Sequence, residues 1–170
     1  MMITHMKNPI LIWLQRALAS LLFIGYFPWA SGTLGSAVTT GAVWWFFCRT
    51  NVPVHALDWW LLALVVTAFS MVVSSRPREV FGSDDPKQVI IDECAGKVIS
   101  FLFVPLSIKT LVLGFFLFRF FDIVKPFPVY KMESLEGGLG ITMDDVMAGI
   151  LTNVCMLAII YAYNFVHGLL

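Results

Sequence analysis

The sequence predicts an all-α fold: a compact polytopic helical membrane bundle of about four to five membrane segments, plus an N-terminal amphipathic or re-entrant helix. Three observations lead there. Of 170 residues, 59% are hydrophobic and only 13% charged, about half the charge of an ordinary soluble domain. Mean hydropathy is +0.84. Apolar stretches of helical length are separated by Gly, Pro and charge. The length suits one domain, residues 1–170, and no internal repeat divides it. Eleven Lys+Arg balance eleven Asp+Glu, so no net field draws in nucleic acid.

Residues 10–27 are apolar but hold Gln15, Arg16 and Ser20, which suits a helix lying in the interface or re-entering it. No small-residue cleavage site follows Lys7 at the usual place, so this stretch is expected to stay with the chain. Residues 28–36 punctuate it strongly. A second apolar segment, 36–48, ends at Arg49 with Pro53 beyond. Residues 57–73 are the plainest hydrophobic segment and open on Trp59-Trp60, as an aromatic belt would. A polar loop occupies 74–88. Residues 89–108 are apolar yet contain Asp92, Glu93 and Lys97. Pro105 and Lys109 mark a tight connection into 110–124, which carries Arg119 and Asp122. A Pro- and Gly-rich loop, 125–143, follows, and Asp144-Asp145 opens the last segment, 146–166.

If 57–73, 89–108, 110–124 and 146–166 all cross, loops 74–88 and 125–143 share one side. That side holds Arg76, Arg78, Lys87, Lys125 and Lys131, against Arg49 and Lys109 opposite. The positive-inside rule makes it cytoplasmic. The same topology brings 28–36, Asp92-Glu93, Asp122 and Asp144-Asp145 to that one end.

Those five acids sit inside or at the lip of apolar segments, where a charge costs several kcal/mol and usually has a task. Local roles compete. Asp122 stands three residues from both Arg119 and Lys125, as in a helix-face ion pair, and Asp145 could cap the final helix. Asp92 and Glu93 are adjacent, about 100° apart on a helix, so no single face satisfies both. Five carboxylates with no His or Cys among them make a hard-oxygen set, which favours Mg²⁺ over zinc or copper. Gly96 and Gly149 each follow an acid by one turn, leaving room for a neighbouring helix or a metal-bound phosphate. Ser31-Gly32-Thr33-Leu34-Gly35-Ser36 offers hydroxyls and backbone N–H groups before a helix, which suits an anion site or a simple connector. Lys125, beside Pro126 and Pro128, is a rigidly presented cation or a snorkelling interface lysine. Cys48, Cys94 and Cys155 have no zinc-ligand spacing and are expected to be small buried hydrophobes. His5, His55 and His167 have no partner at ligand spacing. Carboxylates for Mg²⁺, a phosphate-cradling loop and fixed cations together point to phosphoryl chemistry at a membrane surface.

Four blocks then resemble the phosphatidylglycerophosphatase A family. They are Gly25-x-x-Pro28-x-x-x-Gly32-Thr33-x-Gly35-Ser36, Asp92-Glu93-x-x-Gly96, and Phe118-Arg119-x-x-Asp122-x-x-Lys125-Pro126-x-Pro128. The fourth is Gly137-Gly138-x-Gly140-Ile141-x-x-Asp144-Asp145-x-x-Ala148-Gly149. They occur in the family's order over about residues 25–150. One departure is Ser31, where the family pattern usually has proline. The resemblance implies a Mg²⁺-dependent enzyme of the bacterial inner membrane, its active site facing the cytoplasm. It would hydrolyse phosphatidylglycerophosphate to phosphatidylglycerol and phosphate, feeding phosphatidylglycerol and cardiolipin synthesis.

On that basis Asp92, Glu93, Asp144 and Asp145 are expected to hold one or two Mg²⁺ ions, with Asp122 a further ligand or a water-activating base. Gly32, Thr33, Gly35 and Ser36 would hold phosphate oxygens, while Arg119 and Lys125 neutralise charge. Water could attack directly, or an aspartyl-phosphate could form. A Mg²⁺-dependent phosphatase of another lipid phosphate is the nearest rival. An ion-coupled transporter, the rival of another class, would want its acids near midplane with access from both sides.

Overall fold

A computed structural model describes residues 8–50 and 57–168; His5, Lys7, Pro53 and His55 lie outside the described residues. Among these no strand occurs, in line with the all-α expectation. Helix α1 (Pro9–Ala19) begins at Asn8, whose side chain accepts the Ile10 N–H at 3.0 Å, and proline at its first position presets φ. The helix expected over 10–27 stops early. Ser20 Oγ donates back to the Arg16 carbonyl at 2.7 Å, and Leu21, Leu22 and Phe23 take φ values of 48°, 55° and 70°. Each such left-handed residue costs roughly 1–2 kcal/mol. Hydrogen bonds offset this: Leu22 N–H to the Ala17 carbonyl at 2.7 Å, and Phe23 N–H to Ser20 Oγ at 3.1 Å. One 3₁₀ turn, Ile24–Tyr26, leads on. The polar residues of α1 serve its neighbours: Gln15 donates to the Val73 carbonyl at 2.5 Å and Arg16 to the Val80 carbonyl at 2.7 Å.

Helix α2 spans Ser31–Thr50 and α3 Leu57–Val73, the latter matching the expected segment end to end. Trp59 is wholly buried, with Phe46 edge-on at 5.6 Å, while Trp60 is exposed; only the second suits a belt. A short α4 (Pro77–Phe81) interrupts loop 74–88. Helix α5 is only Ile91–Ser100, about 15 Å long, shorter than the helix expected over 89–108. The reason is tertiary. Asn153, from the last helix, donates to the Ser100 and Leu102 carbonyls, at 3.1 and 2.5 Å, which satisfies the helix end and lets the chain turn.

Helix α6 (Ile108–Val124) starts at a Ser107–Thr110 capping box and ends at Lys125, at φ 46°. After α7 (Val129–Glu133), α8 runs from Gly137 to Val166. It begins well before Asp144-Asp145, so that pair lies inside the helix rather than opening it. By length and composition α8 is the one described helix able to cross a membrane; Leu57–Val73 is apolar but shorter.

Helix α8 is the spine, packed on α5 and α6, with α3 and α7 flanking it. Gly96 of α5 and Gly149 of α8 meet at the crossing. A Cβ on Gly149 would overlap the Gly96 carbonyl, and one on Gly96 would overlap the Asp145 carbonyl and the Phe118 ring. Only glycines allow backbones this close. Trp59, Phe101 and Met156 fill the core at one end, and Phe118, Val129 and Ala148 beneath the acids at the other. Contrary to expectation, Cys48 is exposed and Cys94 and Cys155 are half-buried.

Candidate active site

The glycine crossing sets α5 and α8 so close that two acidic pairs come together. Both line one cleft of about 610 Å³, with Asp122, Arg119 and Lys125 from the end of α6 and residues 25–28 and 30–32 along one wall. Loops 74–88 and 125–143 also meet at this end, around an adjoining cleft that shares Asp144. The expected convergence of acids is therefore present in space.

Each acid pair has the same local geometry. Asp92 Oδ1 accepts the Glu93 N–H at 2.9 Å, and Asp144 Oδ1 accepts the Asp145 N–H at 2.9 Å. Beyond that they differ. Glu93, 6% exposed, accepts from Ser36 Oγ and from Arg119 Nη1, the latter at 3.3 Å. The same Arg119 nitrogen donates to Asp122 at 2.6 Å, so the helix-face pair exists and reaches across to α5. Lys125 Nζ donates to Asp144 at 2.9 Å and pairs with Glu133 at 3.0 Å. Burial works against its charge, but the hydrogen bonds to Asp144 and Glu133 prevail and hold the Lys125 ammonium above its ordinary value. Asp145 Oδ1, by contrast, is buried with no hydrogen-bond partner.

The phosphate-binding set divides. Gly32 lines the cleft beside Arg119 and Lys125, and a Cβ there would come within 3.0 Å of Arg119 Nη1. Thr33 is exposed and outside the cleft lining, while Gly35 and Ser36 are buried under Ile90 and Glu93. The segment is not a cradling loop, because α2 already starts at Ser31. The Leu34 N–H is taken by the Ala30 carbonyl at 3.1 Å; the amides left open by helix geometry are those of 31–33.

Sequence reasoning gave Lys97 no role. Its side chain is fully buried, one turn below Glu93. It donates to the Gly114 and Phe115 carbonyls at 3.3 Å and lies 4.5 Å from the Phe118 ring centroid. A lysine at i+4 from an acid in an apolar run was the available signal.

Among the described residues, no three His, Cys, Asp or Glu side chains are already grouped as a metal cage. The residues nonetheless fit Mg²⁺. The donors are all hard oxygens, one buried carboxylate oxygen has no partner, and Mg²⁺ usually takes one or two carboxylates and keeps water or phosphate for the rest.

The phosphatidylglycerophosphatase A family matches residues 17–160. A Bacteroides thetaiotaomicron protein with the provisional name phosphatidylinositol-3-phosphatase is 38% identical over 130 residues, 74% of this chain and 80% of its own. A Haemophilus influenzae protein named phosphatidylglycerophosphatase A is 44% identical over 82 residues, 47% of this chain and 50% of its own. The Escherichia coli protein of that name is 28% identical over 133 residues, 75% of this chain and 73% of its own. No solved structure matches the chain.

Proposed function

Because the chain belongs to the phosphatidylglycerophosphatase A family, we propose that it removes the terminal phosphate of phosphatidylglycerophosphate, at the cytoplasmic face of a bacterial inner membrane. The observation that carries this reading is the cleft itself: the five expected carboxylates and Asp85 face one space with Arg119, Lys125 and Lys87. Asp92, Glu93, Asp144 and Asp145 would hold Mg²⁺, which when bound supplies charge neutralisation and a more acidic attacking water. Arg119 and Lys125 meet the phosphate oxygens, their donors pre-aimed by Asp122 and Asp144. The open amides at the start of α2 add partial positive charge. Ser36 and Gly35 act from behind, fixing Glu93. Asp122 takes a proton from the attacking water as the water oxygen bonds to phosphorus. The phosphorus–oxygen ester bond breaks, and the same proton passes from Asp122 to the lipid alkoxide, giving the free glycerol hydroxyl and inorganic phosphate.

A second reading, action on another lipid phosphate, is favoured by the name of the Bacteroides relative. The test is phosphate release by purified protein in mixed micelles with Mg²⁺ or EDTA. The lipids are phosphatidylglycerophosphate, phosphatidic acid and phosphatidylinositol 3-phosphate. Mg²⁺-dependent release from the first alone is the expected result. Preference for either other lipid moves the substrate, and release in EDTA removes the metal.

A further inference from the structure

At the site end 76–87 is strongly charged, with Arg76, Arg78, Glu79, Asp84, Asp85 and Lys87. Other segments there expose apolar side chains, Phe127 and Tyr130 among them, and 22–29 does so most. Leu22 and Trp29 are 77% and 80% exposed, and Phe23, Tyr26 and Phe27 are exposed between them. Trp13 of α1 joins them, its ring 5.7 Å from Phe23, which lies 5.7 Å from Tyr26. This apolar lip is held out by the left-handed run Leu21–Phe23 and by Ala30 at φ 54°.

The lip is continuous with the cleft, since Tyr26, Phe27 and Pro28 line it and Trp29 does not. It is also tied to the acids. The Ile90 N–H donates to the Ala19 carbonyl at 3.0 Å, and Gly25 is pressed on the Gln88 carbonyl so tightly that a Cβ would overlap it. An apolar surface fixed in this way to the mouth of a polar site fits a ligand that is polar at one end and apolar at the other.

We propose that this lip is a docking surface for the acyl region of the leaflet that carries the substrate. The lipid then slides in over Phe27, with its phosphate reaching Arg119 and Lys125 while its chains stay against Leu22 and Trp29. The inference rests on the lipid-phosphatase reading and names how that site is reached.

The full chain, reconstituted in phosphatidylcholine vesicles, is assayed with long-chain phosphatidylglycerophosphate in the bilayer and with its short-chain dibutyryl form dissolved as monomers. The double variant Leu22→Ser, Trp29→Ser is expected to lose tenfold or more on the bilayer substrate and stay within twofold on the soluble one. Equal loss on both, or no loss on either, overturns the proposal. Quenching of tryptophan fluorescence by lipids brominated high on the acyl chain reads the contact without turnover. Trp29→Phe is expected to remove part of that quenching. Unchanged quenching, or a fall to monomer mass in the double variant that shows a second copy covering the lip, also overturns the proposal. A wild type that turns over neither substrate sinks the phosphatase reading and the access route with it, and the quenching then shows separately whether the lip meets the leaflet.

Discussion

Asp92-Glu93 and Asp144-Asp145 share a local design and differ in what surrounds them. The first pair lies in the opening turn of α5, where the helix dipole favours an acid, and Glu93 has both Ser36 and Arg119. The second lies in the interior of α8 with no such help. Lys125, shared with Glu133, answers Asp144 but not Asp145, and one oxygen of Asp145 has no partner. One side of the site is thus compensated by the chain itself. The other keeps a buried carboxyl oxygen without a partner, which costs stability.

The largest effect should fall on activity. Asp92→Asn and Asp145→Asn are each expected to reduce phosphate release about a hundredfold or more, with membrane insertion intact by fractionation. Residual activity above a few per cent would remove that acid from the site. Next comes the joint that pairs the two sides. Gly149→Ala places a methyl against the Gly96 backbone, and overpacking of this kind costs about 1–3 kcal/mol. A thermal midpoint equal to wild type would show that the crossing is looser than drawn.

The sharpest contrast is in sign. In EDTA, Asp145→Asn should raise the thermal midpoint, because it removes one carboxylate from a buried cluster of like charges. Glu93→Gln should lower it by weakening the bond to Arg119. Shifts of the same sign would erase the distinction. The smallest effect is ligand-induced: Mg²⁺ at ten times its Kd should stabilise wild type by about 1.4 kcal/mol and leave Asp145→Asn unshifted in the same melts.

Much of this was legible in the residues. The apolar run 57–73 became Leu57–Val73, and α6 began two residues before its expected start because Ser107 and Thr110 cap each other. The five acids converge as their placement at segment ends implied. What escaped depended on distant partners. The end of α5 is set by Asn153, more than fifty residues away in sequence. The start of α8 was hidden by Gly137, Gly138 and Gly140, which resemble loop punctuation; Gly138 in fact lets α8 press on the Met71 carbonyl. The roles of Ser36 and Gly35 changed for a similar reason, since the strand of amides expected at 32–36 had already coiled into α2.

The internal placement of Asp144-Asp145 also makes α8 a ruler. Beyond that pair, residues 146–166 extend about 31 Å, close to the roughly 30 Å depth of a hydrocarbon slab. Were this portion to fill the slab, the acids would stand at its boundary, near the lipid headgroups, and the turns from Gly137 onward would rise into the headgroup layer. Adding or deleting one residue below Asp145 would shift the acids along the membrane normal by about 1.5 Å and turn them about 100°. The height and the facing of these acids would then follow from a single count of residues.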